Sequence, residues 1–267
     1  MGAGIAHVFL AGGSSVVIVE ADDLRAERAR STVESSLQRA GERGQLPDPA
    51  AAVARLRATA DRTELRGGRL VVEAVPEDQA LKASVLGAIE SLLDADAVLA
   101  TNTSSISVDA LATTLERPER FLGMHFFNPV PASALVEVVR GSATAPSAVD
   151  EARAWVARIG KEAIVVADSP GFASSRLGVA IGLEAIRMVE EGVAAPEDID
   201  AAMVLGYRFP MGPLRLTDLV GLDVRLGIAE YLHRTLGERF RPPQLLRDKV
   251  ARDELGKKTG RGFYEWQ

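Results

Sequence analysis

Arg69-Leu-Val-Val-Glu-Ala-Val75 and Ala97-Val-Leu-Ala-Thr101 are two apolar stretches of strand length, and residues 79–93 between them have the spacing of an amphipathic helix. An earlier apolar stretch, Ser15-Val-Val-Ile-Val-Glu20, follows a helical segment at residues 4–10. Because strands and helices alternate, these segments predict a parallel sheet that is covered by helices on both faces.

The rest of the first 167 residues continues this alternation. The pattern predicts helices at residues 24–43, 50–56 and 147–159, strands around His125 and Glu137, and a last strand at residues 162–166. Open sheets with helices on both faces are the architecture of dinucleotide-binding domains. We therefore predict a Rossmann-type, doubly wound α/β domain over residues 1–167.

The composition changes at Asp168-Ser-Pro-Gly171, and only helical signals follow. Apolar residues recur at helical spacing through residues 177–189, and Pro196, with acidic residues directly after it, marks another helix start. Further helices are predicted at residues 214–220, 223–236 and 243–253. The pattern therefore predicts a separate, all-helical domain over residues 168–267.

The composition disfavours several classes of function. The net charge of −6 argues against a general nucleic-acid surface, since phosphate backbones are met by clustered positive charge. With no cysteine and only three histidines, neither thiolate nor histidine-rich metal sites are expected. No apolar run approaches the roughly 20 residues that cross a bilayer, and the first residues lack the pattern of a signal peptide. We expect a cytoplasmic protein that binds no nucleic acid, no membrane and no metal.

A histidine and a glutamate lie on two strand-like segments, Gly123-Met-His-Phe-Phe-Asn-Pro-Val-Pro131 and Leu135-Val-Glu-Val-Val139. A carboxylate beside an imidazole holds one ring tautomer and favours the protonated form, which suits a base that removes an alcohol proton. A lone histidine is more often a hydrogen-bonded core residue. Here Asn128, the prolines and Glu137 supply polar groups that are costly unless they are paired or used. We therefore interpret His125 as a general base that Glu137 orients.

Three further features each allow two interpretations. Gly2 and Gly4 are either ordinary helix-start glycines or the end of a glycine-rich turn, in which Gly2 would let helix and strand pack closely. Glu20 ends a strand, where a carboxylate is either solvated or accepts hydrogen bonds from an adenosine ribose; the second case favours NAD over NADP. Asn102-Thr-Ser-Ser105 is either a helix cap or a substrate site at a carboxyl edge of the sheet.

Further motifs, in chain order, are Val72-Glu-Ala-Val-Pro-Glu77, Thr101-Asn-Thr-Ser-Ser105, Ser169-Pro-Gly-Phe172, Pro210-Met-Gly-Pro213, Asp218-Leu-Val-Gly-Leu-Asp223 and Gly256-Lys-Lys-Thr-Gly-Arg-Gly-Phe-Tyr264. Together with the segments around His125 and Glu137, they resemble the L-3-hydroxyacyl-CoA dehydrogenase family, including bacterial 3-hydroxybutyryl-CoA dehydrogenases. The resemblance covers essentially the whole chain, and so many ordered motifs together are specific to that family.

The resemblance implies that His125 takes the proton of the substrate's 3-hydroxyl while hydride passes from C3 to the nicotinamide of NAD. Glu137 would support the imidazolium, and Ser104 would bond the reacting oxygen. By the same resemblance, a larger set of residues would line the NAD site: Gly2, Glu20, Glu77, Lys82, Ser104, Asn128 and Lys258. Ser36 and Arg43 would contact coenzyme A. A homodimer built through the helical domain is also implied.

Two features depart from the family pattern. Ser175 replaces an asparagine of the active-site group; its hydroxyl is shorter than a carboxamide but can reach through a water, and we keep it as a candidate catalytic residue. The family's first strand and the start of its glycine turn do not appear before Gly2, which predicts an open position in the middle of the sheet. We expect the true start to lie upstream; the alternative is a truncated product with weak cofactor binding.

Three hypotheses about function follow. The leading one is NAD-dependent oxidation of (S)-3-hydroxyacyl-CoA, with a short chain such as hydroxybutyryl, in fatty acid metabolism and β-oxidation. A second is a dehydrogenase of a free hydroxy acid, of the gulonate or carnitine type, on the same scaffold; Ser36 and Arg43 favour the coenzyme A ester over it. A third is a truncated, non-catalytic, oligomeric binding protein.

Overall fold

A computed structural model describes residues 1–266, which form two compact units, Met1–Asp168 and the chain from Ser169 onwards. The helices of the first unit are α1 (Gly2–Ala11), α2 (Asp23–Glu42), α3 (Pro49–Val53), α4 (Gln79–Glu90), α5 (Val108–Ala112) and α6 (Pro146–Arg158). Its strands are β1 (Val16–Val19), β2 (Leu56–Thr59), β3 (Leu70–Glu73), β4 (Val98–Thr101), β5 (Phe121–Phe126), β6 (Leu135–Arg140) and β7 (Glu162–Ala167). The predicted α/β architecture is confirmed.

The strands form two sheets. β1 pairs in parallel with β2, and the other strands form a five-stranded sheet in the order β3-β4-β5-β6-β7. Within residues 1–266, β1 and β3 each keep one edge without a strand partner, in agreement with the predicted open position. The sheet is mixed rather than purely parallel as predicted, because the short loop after β5 reverses the chain and makes β6 antiparallel to β5.

The sequence pattern misses one strand. It predicts a helix through residue 56, whereas α3 ends at Val53 and Leu56 begins β2. Only Leu56 among the four residues of β2 is fully buried, so its sequence lacks the alternation that indicates a strand. Pairing with β1, which places Val16 opposite Leu56, determines the conformation instead.

Helix α1 packs on both sides and organises the core of the first unit. Ile5 and Phe9 join the cluster that covers the five-stranded sheet, while Leu10 joins a second cluster with α2. The helix is tightest at Gly4, where an added Cβ would lie 3.0 Å from Val130. At Gly2 it would lie 3.8 Å from Ala74, an ordinary contact, so the close packing expected at Gly2 occurs two residues later, at Gly4.

The second unit is helical, as predicted. Its helices are α7 (Ser174–Glu190), α8 (Pro196–Ala201), which continues as a π-helical turn (Ala202–Gly206), α9 (Pro213–Val220), α10 (Leu222–Leu236) and α11 (Gln244–Ala251). The buried carboxylate of Asp218 accepts hydrogen bonds from the amides of Phe263 and Tyr264 and from the indole of Trp266, which fastens the last residues to α9. Among residues 1–266, no helix has both the length and the apolar character to span a membrane.

Candidate active site

The catalytic pair predicted from the sequence lies on two hydrogen-bonded strands. The β5–β6 register places His125 directly opposite Glu137, and His125 Nδ1 lies 2.7 Å from Glu137 Oε2. Glu137 is fully buried and His125 is 7% exposed. With Nδ1 donating to the carboxylate, Nε2 is the ring nitrogen that accepts a proton. The register of two buried strands thus places a carboxylate where it sets the tautomer and the orientation of the His125 ring.

A second carboxylate, Glu77, accepts several hydrogen bonds from the threonine and serine residues of the loop that follows β4. Its Oε1 accepts hydrogen bonds from Thr103 Oγ1 at 2.5 Å and from the amides of Ser104 and Ser105 at 3.0 and 3.2 Å. Burial raises the pKa of Glu77, but these hydrogen bonds and the charge of Lys82 outweigh burial and hold the pKa below its usual range. Glu77 is therefore an anion that fixes the loop containing Ser104.

Below this loop lies a fully buried ion pair between α4 and the end of β3. Lys82 Nζ lies 2.9 Å from Glu73 Oε1 and also donates to the backbone carbonyl of Asn102 at 3.0 Å. Glu73 Oε2 accepts from Thr101 Oγ1 at 2.6 Å. Asn102 in turn accepts from the amide of Phe126 through its side-chain oxygen, at 3.0 Å. This network joins the carboxyl ends of β3, β4 and β5, next to His125.

Sequence reasoning assigned no role to Glu73 or to the side chain of Asn102. A signal for Glu73 exists, because it is an acid inside an otherwise apolar strand and therefore needs a buried partner. Its partner Lys82 is itself fully buried and directs its ammonium at protein acceptors. The structure therefore places Lys82 beneath the site, as a support for the loop after β4.

Three further residues assigned to the dinucleotide lie after β1, after β5 and at the start of α1. Glu20 directly follows β1, and its amide donates to the carbonyl of Thr59 at 3.0 Å. Asn128 is exposed in the loop after β5, and its peptide bond to Pro129 is cis. Gly2 is the first residue of α1.

The two residues assigned to coenzyme A lie on α2 and at its end. Ser36 Oγ lies 2.9 Å from Nδ1 of the buried His7 on α1. Burial, and then the positive charges of Lys161 and Arg39, lower the pKa of His7, so the imidazole is neutral near pH 7. Arg43 is exposed and caps the carboxyl end of α2.

Ser175 and Lys258 belong to the second unit. Ser175 lies in the first turn of α7 and is partly buried. Lys258 Nζ lies 2.5 Å from both carboxylate oxygens of Asp223. Burial raises the pKa of Asp223, but the hydrogen bond from Lys258 outweighs this and holds the pKa below its usual range.

The first unit offers the groups that a dinucleotide needs. α1 begins without a side-chain cap, so its first amides can donate to an anion such as a pyrophosphate. Glu20 and Glu77 follow the carboxyl ends of β1 and β3, where open α/β sheets bind their ligands. A Cβ added at Gly4 would lie 3.0 Å from Val130, so the start of the helix packs tightly on the loop after β5. These residues fit a bound dinucleotide.

Comparison with known proteins agrees with this architecture. Residues 1–169 match the family described as 3-hydroxyacyl-CoA dehydrogenase, NAD binding domain, and residues 171–266 match 3-hydroxyacyl-CoA dehydrogenase, C-terminal domain. A probable 3-hydroxybutyryl-CoA dehydrogenase from Deinococcus radiodurans is 41% identical over 268 residues, which cover 100% of this chain and 96% of that protein. A mitochondrial hydroxyacyl-coenzyme A dehydrogenase from Rattus norvegicus is 36% identical and is covered over 88% of its length by the whole of this chain.

A solved structure gives the same result. The (S)-3-hydroxybutyryl-CoA dehydrogenase from Ralstonia eutropha has a TM-score of 0.95 and 40% sequence identity, over 100% of this chain and 95% of that chain. Because both halves of the sequence match the family in order, and the match extends over the whole chain, the chain belongs to the 3-hydroxyacyl-CoA dehydrogenase family.

Proposed function

We propose that this protein is an NAD-dependent dehydrogenase that oxidises (S)-3-hydroxyacyl-CoA to 3-oxoacyl-CoA, with a short acyl chain such as hydroxybutyryl. The observation that carries the proposal is the distance of 2.7 Å between His125 Nδ1 and Glu137 Oε2 on two buried strands of a chain of this family. A buried base with an orienting carboxylate is the arrangement needed to remove a hydroxyl proton.

In the proposed reaction, His125 Nε2 takes the proton of the substrate's 3-hydroxyl as the C3 hydride leaves. Glu137 stabilises the imidazolium that forms, since its buried carboxylate accepts the hydrogen bond from Nδ1. Ser104 bonds the reacting oxygen, and Glu77 holds the Ser104 amide at 3.0 Å to keep that hydroxyl in place. Proton removal and oxygen positioning are thereby divided between β5 and the loop after β4.

NAD, when bound, supplies the acceptor for the hydride. The residues that would hold it in the first unit are Gly2 at the start of α1, Glu20 after β1, Glu77, and Asn128 after β5. Lys82 would act from below, through the backbone of Asn102. Because a carboxylate at the end of β1 repels a phosphate on the ribose, Glu20 favours NAD over NADP.

For Ser175, Lys258, Ser36 and Arg43, the proposed contacts with substrate, cofactor and coenzyme A rest on the family resemblance. We also propose a homodimer through the helical unit, a cytoplasmic location and a role in fatty acid β-oxidation. Several large apolar side chains of the second unit support the dimer, because they are exposed in a single chain: Leu177, Leu216, Leu219, Val220 and Val224.

The proposal is tested with purified protein, NADH and acetoacetyl-CoA, by following the loss of NADH absorbance. We expect turnover with short 3-oxoacyl-CoA thioesters, competition by free coenzyme A, and a preference for NADH over NADPH. Absence of turnover with short and long thioesters would refute the proposed activity. Turnover of a free 3-oxo acid without competition by coenzyme A would favour the free hydroxy acid as substrate.

A further inference from the structure

The loop between β5 and β6, residues 127–134, connects the strand of the base to the strand of its carboxylate. It contains the exposed Asn128, and it packs against the start of α1, since Val130 is 2% exposed and a Cβ added at Gly4 would lie only 3.0 Å from it. The loop thus determines where Asn128 and the first turn of α1 lie relative to each other.

One side chain from outside the loop holds its backbone. Lys161, in the connection between α6 and β7, donates from Nζ to the carbonyl of Val130 at 2.7 Å and to the carbonyl of Ser133. The next residue adds a third contact, because the amide of Glu162 donates to the carbonyl of Ala134 at 2.7 Å. Lys161 and the first residue of β7 therefore hold the backbone of the loop at Val130, Ser133 and Ala134.

The ammonium of Lys161 bonds backbone carbonyls instead of a carboxylate. In the part of the chain that the structure describes, no carboxylate lies within ion-pair distance of it. Burial lowers the pKa of Lys161, and the same charge contributes to the lowered pKa of His7. Partial burial of a cation costs desolvation free energy, and two carbonyl partners do not offset it as an ion pair would. Such an arrangement gains strong, directional hydrogen bonds to a chosen backbone conformation.

We propose that Lys161 is a positioning residue, which fixes the 127–134 loop so that Asn128 and the start of α1 together form the cofactor-binding surface. The inference rests on the proposed function for the identity of that cofactor. The base itself does not depend on Lys161, because His125 is held by the β5–β6 register and by Glu137. Loss of Lys161 should therefore weaken cofactor binding and leave the base unchanged.

The test replaces Lys161 by methionine, which keeps the length and apolar stem of the side chain and removes its donors. We expect the Kd and KM for NADH to rise about five- to tenfold, the scale expected when part of the strength of two charge-assisted hydrogen bonds is lost. The turnover number and its pH profile should stay at parental values. Lys161→Arg, whose guanidinium can reach two carbonyls, should restore most of the affinity.

Arg153→Met is the matched control, because Arg153 is an exposed cation on the neighbouring α6. It should leave the Kd for NADH unchanged. A Lys161→Met variant with parental NADH affinity and only a lower melting temperature would overturn the proposal, as would a shifted pH profile of turnover. If Lys161→Met does not fold, Lys161→Gln is titrated instead, and parental affinity in that variant likewise overturns it.

Fluorescence titration with NADH needs no acyl-CoA substrate, so it separates this inference from the proposed activity. A parent enzyme that binds NADH but does not reduce acetoacetyl-CoA would refute the substrate, while the Lys161 series would still report on the loop. A parent enzyme that does not bind NADH would refute both.

Discussion

The two sheets of the first unit support their functional residues to different degrees. In the five-stranded sheet every residue of β5 is buried, and His125, Glu137 and Glu73 each have a side-chain partner. In the two-stranded sheet β1 has one neighbour, Val17 is 37% exposed, and Glu20 lies at the strand end. Within residues 1–266, no side-chain hydrogen bond holds the Glu20 carboxylate. Buried side-chain partners thus hold the proposed proton-transfer pair, whereas no side-chain partner among residues 1–266 holds the proposed ribose-binding carboxylate.

The largest expected effect falls on the base. His125→Gln should lower turnover by about a thousandfold, because the amide cannot take up the hydroxyl proton. NADH affinity should stay near the parental value, since the ring acts on the substrate and not on the cofactor. The measurement is steady-state reduction of acetoacetyl-CoA together with NADH titration. His233→Gln, the same change at a histidine of the helical unit, is the control; near-parental turnover in His125→Gln would rule out the assigned role.

The next prediction compares the stability lost when the cation of one ion pair is removed at each sheet. Lys82→Met leaves Glu73 buried without its cation and should lower the free energy of unfolding by about 3–5 kcal/mol. On β2, Arg57 lies 2.7 Å from Glu64 with its side chain 63% exposed, and Arg57→Met should cost less than about 1 kcal/mol. Urea unfolding of both variants measures the difference. Equal losses would show that the two sheets do not differ in how they hold their charges.

The same contrast explains what the sequence could and could not predict. The long apolar strands and amphipathic helices were predictable because burial imposes their periodicity. The pair of His125 and Glu137 was predictable because polar groups in buried strands need partners. The β2 strand was not, since its four residues carry little pattern and only β1 orders them. The support of the loop by Lys161 was not either, because a side chain that bonds backbone carbonyls some thirty positions away leaves no trace in local spacing.

A smaller effect is expected at the end of β1. Glu20→Ala removes a carboxylate that would repel a ribose phosphate, so the ratio of kcat/KM for NADPH to that for NADH should rise about tenfold. Turnover at saturating NADH should be unaffected. Glu27→Ala, which removes an exposed carboxylate from α2, controls for the change of net charge. An unchanged ratio would mean that Glu20 is a solvated acid, and the comparison between the sheets would lose its functional meaning.

The smallest effect concerns Glu77, which is intermediate between the buried, paired Glu73 and Glu20, which has no side-chain partner among residues 1–266. The side chain of Glu77 is 37% exposed, yet it accepts several hydrogen bonds. Its pKa lies below the ordinary value of 4.5 in the folded protein, so its contribution to stability is fully present above pH 4.5. That contribution is lost as the pH falls from 4.5 through the folded pKa, because protonation then favours the unfolded chain.

We therefore expect the stability difference between the parent and Glu77→Gln to shrink on acidification below pH 4.5. Solvent screening at a side chain this exposed limits the change to less than about 1 kcal/mol. Urea unfolding at a series of pH values measures it, with Glu27→Gln as the control for removal of an exposed charge. A difference that stays constant with pH would show that the Thr103 and Ser104 hydrogen bonds do not favour the ionised form. The hydrogen bonds of Lys82 and Asn102 would then remain as the support of the loop containing Ser104.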